Sequence, residues 1–265
     1  NIETNNLKLK EIKTNIDKLY KLRTSSHSIR DLLILDNYIY LSITREFKKN
    51  IFLYCYNTLI LRAPLNSNYL KFSEFFSYPE CQYKINQSSG GRMFPFKKDN
   101  ILFSVGEFKN ERYKNKTLSQ NKNSIFGKII SVNKKTKNFD IISMGSRNPQ
   151  GLYYDNTKDV IIHTEHGPRG GDEININLNP DNVIIENYGW PISSYGEHYD
   201  GKYRKHAPLN KSHVDFGFIE PIKYFTPSIG ISELIKIPQS FNKKFTNDFF
   251  VAALGWKLQM HEGDQ

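Results

Sequence analysis

Residues 151–164 read GLYYDNTKDVIIHT, two apolar runs of strand length parted by a polar turn, and the pattern recurs upstream. Residues 31–43 read DLLILDNYIYLSI, and residues 92–106 read RMFPFKKDNILFSVG. In each, runs rich in Ile, Leu, Phe, Tyr and Val are broken by Asn and Asp, the signature of a hairpin. The turns begin at Asp36, Asp99 and Asp155, about 60 residues apart, and further strand candidates lie between them at 51–61, 127–132 and 139–143. A fourth unit opens with FFVAAL at Phe249. Short strands recurring at such a period predict an all-β chain built as a β-propeller, in which four-stranded blades ring a channel. At about 40 to 50 residues a blade plus insertions, the chain makes roughly four to five blades. A two-domain β-sandwich accounts for the strands but not for the spacing of the turns. Residues 10–22 carry apolar positions compatible with a short helix or with strand and loop.

The 265 residues are read as one propeller domain spanning 1–265, a fragment incomplete at both ends. The chain begins at Asn1 and closes on HEGDQ just after a strand-like run. Aromatic residues are abundant, with 18 Phe and 16 Tyr, which suits strands. No run approaches the ~18 apolar residues of a membrane span. The formal charge of +10 is scattered over the chain in segments such as KKTKN and NKKFTND. A nucleic-acid binder gathers its charge into a patch, so nucleic acid is excluded as a partner, and a basic surface favours small anionic ligands. Two cysteines, Cys55 and Cys81, rule out a disulfide-dense scaffold and a four-cysteine zinc site. They are either paired across two strands or separate buried thiols.

Chemistry concentrates between Gly145 and Glu197. Residues 145–151, GSRNPQG, form a polar turn with a fixed cation, Arg147, and two amides, Asn148 and Gln150. The second turn, 165–173, holds three glycines, Arg169 and the acids Glu165, Asp172 and Glu173. Glycines let backbone carbonyls turn toward a ligand, and the acids are hard oxygen donors of the kind calcium takes. The pattern fits an anionic organic ligand clamped beside Ca²⁺; taken singly, each turn also fits an ordinary glycine-rich connection. Propellers gather such turns at one mouth of the channel, which would bring residues 88–92, 145–151, 165–173 and 224–228 together.

The ordered series SRNPQGL, EHGPRGGDEIN, NYGWP and SYG closely resembles the soluble aldose sugar dehydrogenases that depend on pyrroloquinoline quinone (PQQ), the glucose/sorbosone dehydrogenase domain. Weaker likeness runs through SGGRMFPF, FGKII, TPSIGIS and FFVAAL. The resemblance implies a six-bladed propeller with PQQ over the channel mouth and a periplasmic or secreted location. It implies that Arg147 and Asn148 contact PQQ oxygens, with His166 facing the cofactor, and that the Gly167 and Pro168 carbonyls hold Ca²⁺. It also implies a second Ca²⁺ site at Glu173 and the Tyr188 carbonyl. The substrate would be an aldose or related alcohol, its hydride passing to the quinone and on to an external electron acceptor.

Three departures bear on catalysis. The histidine base of the family is replaced by Ser88, whose hydroxyl has no titration near neutral pH. The lysine of the last motif is Gly255, with Lys257 nearby. An expected tryptophan is missing near TPSIGIS, leaving Tyr224 or Phe225 to stack on the cofactor. The catalytic base is therefore unassigned, with His166 and His27 as candidates. His163 and His166 would face opposite sides of a strand and share no metal; His198, His206 and His213 read as solvated, and Trp190 and Tyr195 as packing residues. Two functions follow: a PQQ- and calcium-dependent dehydrogenase with a substitute base, or a catalytically silent propeller that binds a ligand or protein on the same face.

Overall fold

The computed structural model describes residues 11–20, 28–48, 54–66, 68–83, 87–108, 117–181, 184–199, 201, 205, 209–241 and 243–255. His27, His206 and Lys257 lie outside the described residues. A short strand β1 (Lys13–Thr14) and helix α1 (Ile16–Tyr20) lead into the first sheet. That sheet is an antiparallel meander of β2 (Ser28–Leu35), β3 (Tyr38–Lys48), β4 (Tyr54–Pro64) and β6 (Ser73–Phe76), while β5 (Tyr69–Leu70) pairs with β1. The second sheet follows in the same manner: β7 (Gly90–Phe96), β8 (Asn100–Val105), β9 (Lys128–Asn133) and β10 (Phe139–Met144). The third is β11 (Pro149–Asp155), β12 (Val160–Glu165), β13 (Asp172–Asn177) and β15 (Lys223–Phe225); β14 (Glu186–Asn187) returns to pair parallel with β10. β16 (Ile231–Lys236) and β17 (Phe249–Ala253) open a fourth sheet.

The three hairpins read from the sequence lie in three separate sheets, as the opening strand pair of each. Their turns differ. Asp36 and Asn37 both take positive φ, 51° and 60°, the two-residue type I′ geometry that matches strand twist. The second hairpin closes over Lys97–Asp99. In the third, the Asp155 carboxylate accepts the N–H of Thr157 at 3.0 Å, so here Asp works as a side-chain cap.

Alternation along each strand sends side chains to two different cores. Phe103, Val105, Ile130 and Val132 of the second sheet join Tyr40 and Ile60 of the first. The neighbours one residue on, Leu102 and Ile129, face the other way and pack with Leu152, Tyr154 and Ile161 of the third. The outer face of the first sheet is covered by Ile16 of α1 and by Leu70 and Phe72. Sheets therefore stack face to face like blades, and their first strands run in series: β2 packs on β7, β7 on β11 and β11 on β16. The described residues hold three complete blades and the opening pair of a fourth, against the four to five expected. Long connections account for the difference, above all the stretch between β13 and β15.

Cys55 and Cys81 form a disulfide with Cα atoms 5.5 Å apart, tying β4 to the segment that crosses from the first blade to the second. Within the segment 10–22, the described residues 11–20 hold strand pairing at 13–14 followed by a short helix at 16–20.

Candidate functional site

Two turns and one carboxylate build the site. β10 ends at Met144 and the chain turns through 145–148 into β11; β12 ends at Glu165 and turns through 166–171 into β13. Because Pro149 pairs with Glu165 across the strands, the two turns lie side by side. Glu165 Oε1 accepts the backbone N–H of Arg147 at 2.8 Å and that of Asn148 as well, so one buried carboxylate caps the whole 145–148 turn. The guanidinium answers in the other direction: Arg147 Nη1 donates to the carbonyls of His166 (2.9 Å) and Gly167 (2.8 Å). His166 N–H closes the clasp on the Asn148 carbonyl at 3.0 Å. Gly145, at φ 76°, has to be glycine, since a Cβ there would run into the Asn187 side chain and the Gly189 N–H.

The glycine turn is strapped from outside. Ser228 Oγ accepts the N–H groups of Gly170 (2.9 Å) and Gly171 (3.1 Å) and donates to the Pro168 carbonyl at 3.2 Å. Asp172 accepts Gly167 N–H with one oxygen and Ile231 N–H with the other, fixing the turn to the fourth sheet.

Inside lies a small cavity of about 10 Å³, room for one water or ion, walled by Arg147, Glu165, Gly167, Glu173, Tyr188 and Trp190. Arg147 is only 4% exposed and its guanidinium sits 5.5 Å from the Trp190 ring. Glu165 and Glu173 are direct cross-strand partners, both buried. Burial lifts the Glu165 carboxyl to about 8, the charge of Glu173 adds to the rise, and the N–H groups of Asn148 and Arg147 with the Arg147 charge oppose it. Glu165 Oε2 is buried with no hydrogen-bond partner.

Arg147, Asn148, His166, Gly167, Pro168 and Glu173 thus come together as expected, with Tyr188 on the cavity wall. Tyr224 stands opposite Glu173 and Phe225 opposite Asp172. Tyr224 is 46% exposed and stacked on Tyr195, ring centroids 3.7 Å apart and planes within 8°. Ser88 holds φ 54°, and its turn is drawn against the site because Gly90 N–H donates to Asn148 Oδ1 at 3.1 Å. Gly255 is exposed.

Two histidines depart from the sequence expectation of solvated side chains. His213 is fully buried, its Nε2 3.5 Å from Glu173 Oε1 and its ring stacked on Tyr195. Burial is the largest influence and works against its charge, yet the Glu173 contact, the charges of Glu173 and Glu220 and the Ile219 backbone together outweigh it and raise its pKa. His198 is buried beside Trp190. Loop composition suggested solvent for both, because nothing local signals that the 187–220 excursion folds back over the cavity. His163 and His166 do part company: His163 is buried edge-on to Tyr188, while His166 is partly exposed with Nδ1 3.3 Å from the Ile231 carbonyl. Among the described residues no three His, Cys, Asp or Glu side chains converge as a metal cluster.

The glucose/sorbosone dehydrogenase family profile matches residues 35–261. The aldose sugar dehydrogenase YliI of Escherichia coli is 36% identical over 111 residues, 40% of this chain and 28% of that protein. An uncharacterised protein of Synechocystis is 30% identical over 166 residues, 56% of this chain and 38% of that protein. The matched part therefore spans well under half the length of either relative. The crystal structure of the soluble E. coli aldose sugar dehydrogenase in its apo form superposes with a TM-score of 0.67 at 23% identity, covering 87% of this chain and 67% of that one, a likeness of fold. With blades stacked in series and the profile running through three of them into the fourth, the chain belongs to the glucose/sorbosone dehydrogenase family.

Proposed function

We propose that this chain forms the cofactor face of a PQQ- and Ca²⁺-dependent dehydrogenase that oxidises an aldose or related alcohol and passes electrons to an external acceptor. The observation that carries the reading is the double clasp, in which Glu165 caps the Arg147 turn and Arg147 holds the His166 and Gly167 carbonyls, walling an ion-sized cavity with two carboxylates.

The donor set suits a hard cation. Glu165 Oε2 is a buried oxygen without a hydrogen-bond partner, Glu173 stands across from it, and Gly167 and Pro168 line the same cavity. The Gly167 carbonyl accepts Arg147 and keeps a second lone pair, whereas the Pro168 carbonyl already accepts Gly171 N–H and the Ser228 hydroxyl. PQQ, a planar tricarboxylate, is far larger than that cavity. The groups suited to it are Asn148 and His166 for its oxygens and Tyr224 or Phe225 for its ring face, while Arg147, 4% exposed, is committed to the His166 and Gly167 carbonyls. When bound, the quinone supplies the hydride acceptor and the calcium a Lewis acid.

The chain's own residues have defined tasks in this reading. Arg147 fixes the His166 and Gly167 carbonyls in direction. Ser88 cannot take a proton at neutral pH, so the base falls to His166. With its Nδ1–H donated to the Ile231 carbonyl, Nε2 carries the lone pair and accepts the proton of the substrate hydroxyl. Periplasmic or secreted location agrees with the Cys55–Cys81 disulfide, since such bonds persist in oxidising compartments. No helix among the described residues is long and apolar enough to cross a membrane.

A second reading, a silent propeller binding a ligand on this face, is favoured by Ser88 and by the inward turn of Arg147. The deciding experiment loads the full-length apoprotein with PQQ and Ca²⁺ and measures cofactor binding and aldose-dependent dye reduction. The enzyme reading expects both, with His166→Gln lowering kcat roughly 10²-fold or more when measured at saturating PQQ. Binding without turnover, even after Ser88→His, selects the silent propeller. Failure to bind PQQ or Ca²⁺ overturns the cofactor assignment.

A further inference from the structure

The first strands of all four blades break register at corresponding places. β2 shifts between Ile29 and Asp31, β7 between Gly90 and Met93, β11 between Pro149 and Gly151, and β16 between Ile231 and Leu234. A bulge frees backbone groups from the ladder and re-aims the side chain beside it. Here the side chains of Asp31, Arg92 and Glu233 and the backbone carbonyl of Gln150 meet. Arg92 Nη1 lies 3.0 Å from Asp31 Oδ1 and 2.6 Å from Glu233 Oε2, while Arg92 Nε donates to the Gln150 carbonyl at 2.5 Å. The freed N–H of Met93 goes to the other Asp31 oxygen at 2.8 Å. Those of Gly91 and Arg92 go to Ser104 Oγ, which donates in turn to the Pro149 carbonyl at 3.1 Å. One arginine on the second blade thus bonds the first, third and fourth.

From these contacts we infer that Arg92 is a positioning residue, the tie that fixes the first strands of four blades relative to one another and thereby holds the 145–151 turn in place. The route to the site is short. Gln150, whose carbonyl Arg92 holds, donates through Nε2 to Asn148 Oδ1 at 2.8 Å, and that oxygen also receives Gly90 N–H. A planar guanidinium is required, since its several donors point at acceptors on different blades at once, whereas an ammonium on a flexible stem is a single point charge. At 21% side-chain exposure the arginine is screened enough from solvent for the network to matter. The inference concerns the architecture of the site and stands independently of which sugar, if any, is turned over.

Hydrogen–deuterium exchange on the full-length protein, read by peptide well below the melting temperature, tests it. Arg92→Met is expected to raise exchange about tenfold or more in 145–151 and in Ile231–Lys236, leaving β3 and β4 protected. Leu59→Ala, which opens the fully buried outer core of the first blade, serves as a control for loss of stability alone and is expected to spare 145–151 and β16. Glu233→Gln, a milder change, should loosen β16 only, and Arg92→Lys should fall between wild type and Arg92→Met. Should Arg92→Met fail to fold, these last two variants decide. Exchange confined to β7, or the same pattern in Arg92→Met and Leu59→Ala, overturns the tie, as does wild-type protection of both 145–151 and β16 in Arg92→Lys together with wild-type β16 in Glu233→Gln.

Discussion

Replacing Glu165 by Gln should alter stability as a function of pH with a sign fixed by the site. Burial, reinforced by Glu173, moves the Glu165 carboxyl from 4.5 to about 8 in the folded chain. The folded state therefore holds this proton more tightly than the unfolded state. The contribution is fully present below 4.5 and is lost as pH rises through about 8. At about 1.36 kcal/mol per unit, the stability difference between wild type and variant should shift by up to about 4 kcal/mol between pH 5 and pH 8. A glutamine keeps the acceptor for the Arg147 and Asn148 N–H groups, so the two proteins should be nearly equal at pH 5. In calcium-free buffer at pH 8 the variant should be the more stable, by up to roughly 8–16 °C in Tm. Other groups titrate nearby: burial lowers His163 to about 3 and Lys128 to about 7. The measure is accordingly the variant-minus-wild-type difference from melts at matched pH with chelator present. Calcium at 100 times its Kd would return about 2.7 kcal/mol to the wild type and narrow the gap. A difference that stays flat from pH 5 to pH 8.5 would refute the buried, proton-holding carboxyl.

Lys128 is fully buried, its ammonium donating to the carbonyls of Leu118, Ser119 and Phe126 at 2.7–2.9 Å. Lys128→Met removes three buried hydrogen bonds, two of them to carbonyls that keep a backbone donor, and should cost about 3–5 kcal/mol in urea unfolding; a loss under 1 kcal/mol contradicts the bonding. Removing the Cys55–Cys81 link, which spans 26 residues, by a double Ala change should cost about 3.5 kcal/mol by loop entropy, read as a shift in urea midpoint from the oxidised wild type that the reduced wild type shares. Gly91 sits at φ 109° against the Arg30 stem, where a Cβ would collide, so Gly91→Ala should lower stability by about 2 kcal/mol or more, whereas Gly217→Ala, with open space around it, should cost less.

Much of the fold was legible because the information was local. Alternating apolar runs gave the strands, and Asp36-Asn37 gave the first turn its left-handed pair. The same two letters at Asp99 and Asp155 sit in longer turns with different bonds, so spacing predicted the hairpins while residue identity did not predict turn type. The blade count was not legible, since among the described residues the long excursion after β13 contributes only the two residues of β14 to any sheet before β15, and composition does not separate excursion from blade.

The site was legible where a residue's task is set by its own turn, and hidden where it is set from elsewhere. Arg147, Gly167 and Glu173 stand in motifs, and the motifs place them. His213 looks like one more loop histidine, yet it is buried on Glu173 because Glu220 takes the His213 and Val214 N–H groups and so sets how this loop lies. The parallel stack of Tyr224, Tyr195 and His213 then covers the carboxylate from outside. Arg92 belongs to the same class. Within its own strand it is one polar residue in an alternating run, and its importance arises from bulges on three other strands. What a single sequence withholds is the convergence of distant polar groups, and in a propeller that convergence happens where the blades meet. The residues that contact a ligand can therefore be proposed from motifs, whereas the residues that hold those motifs in place have to be read from the packed ring.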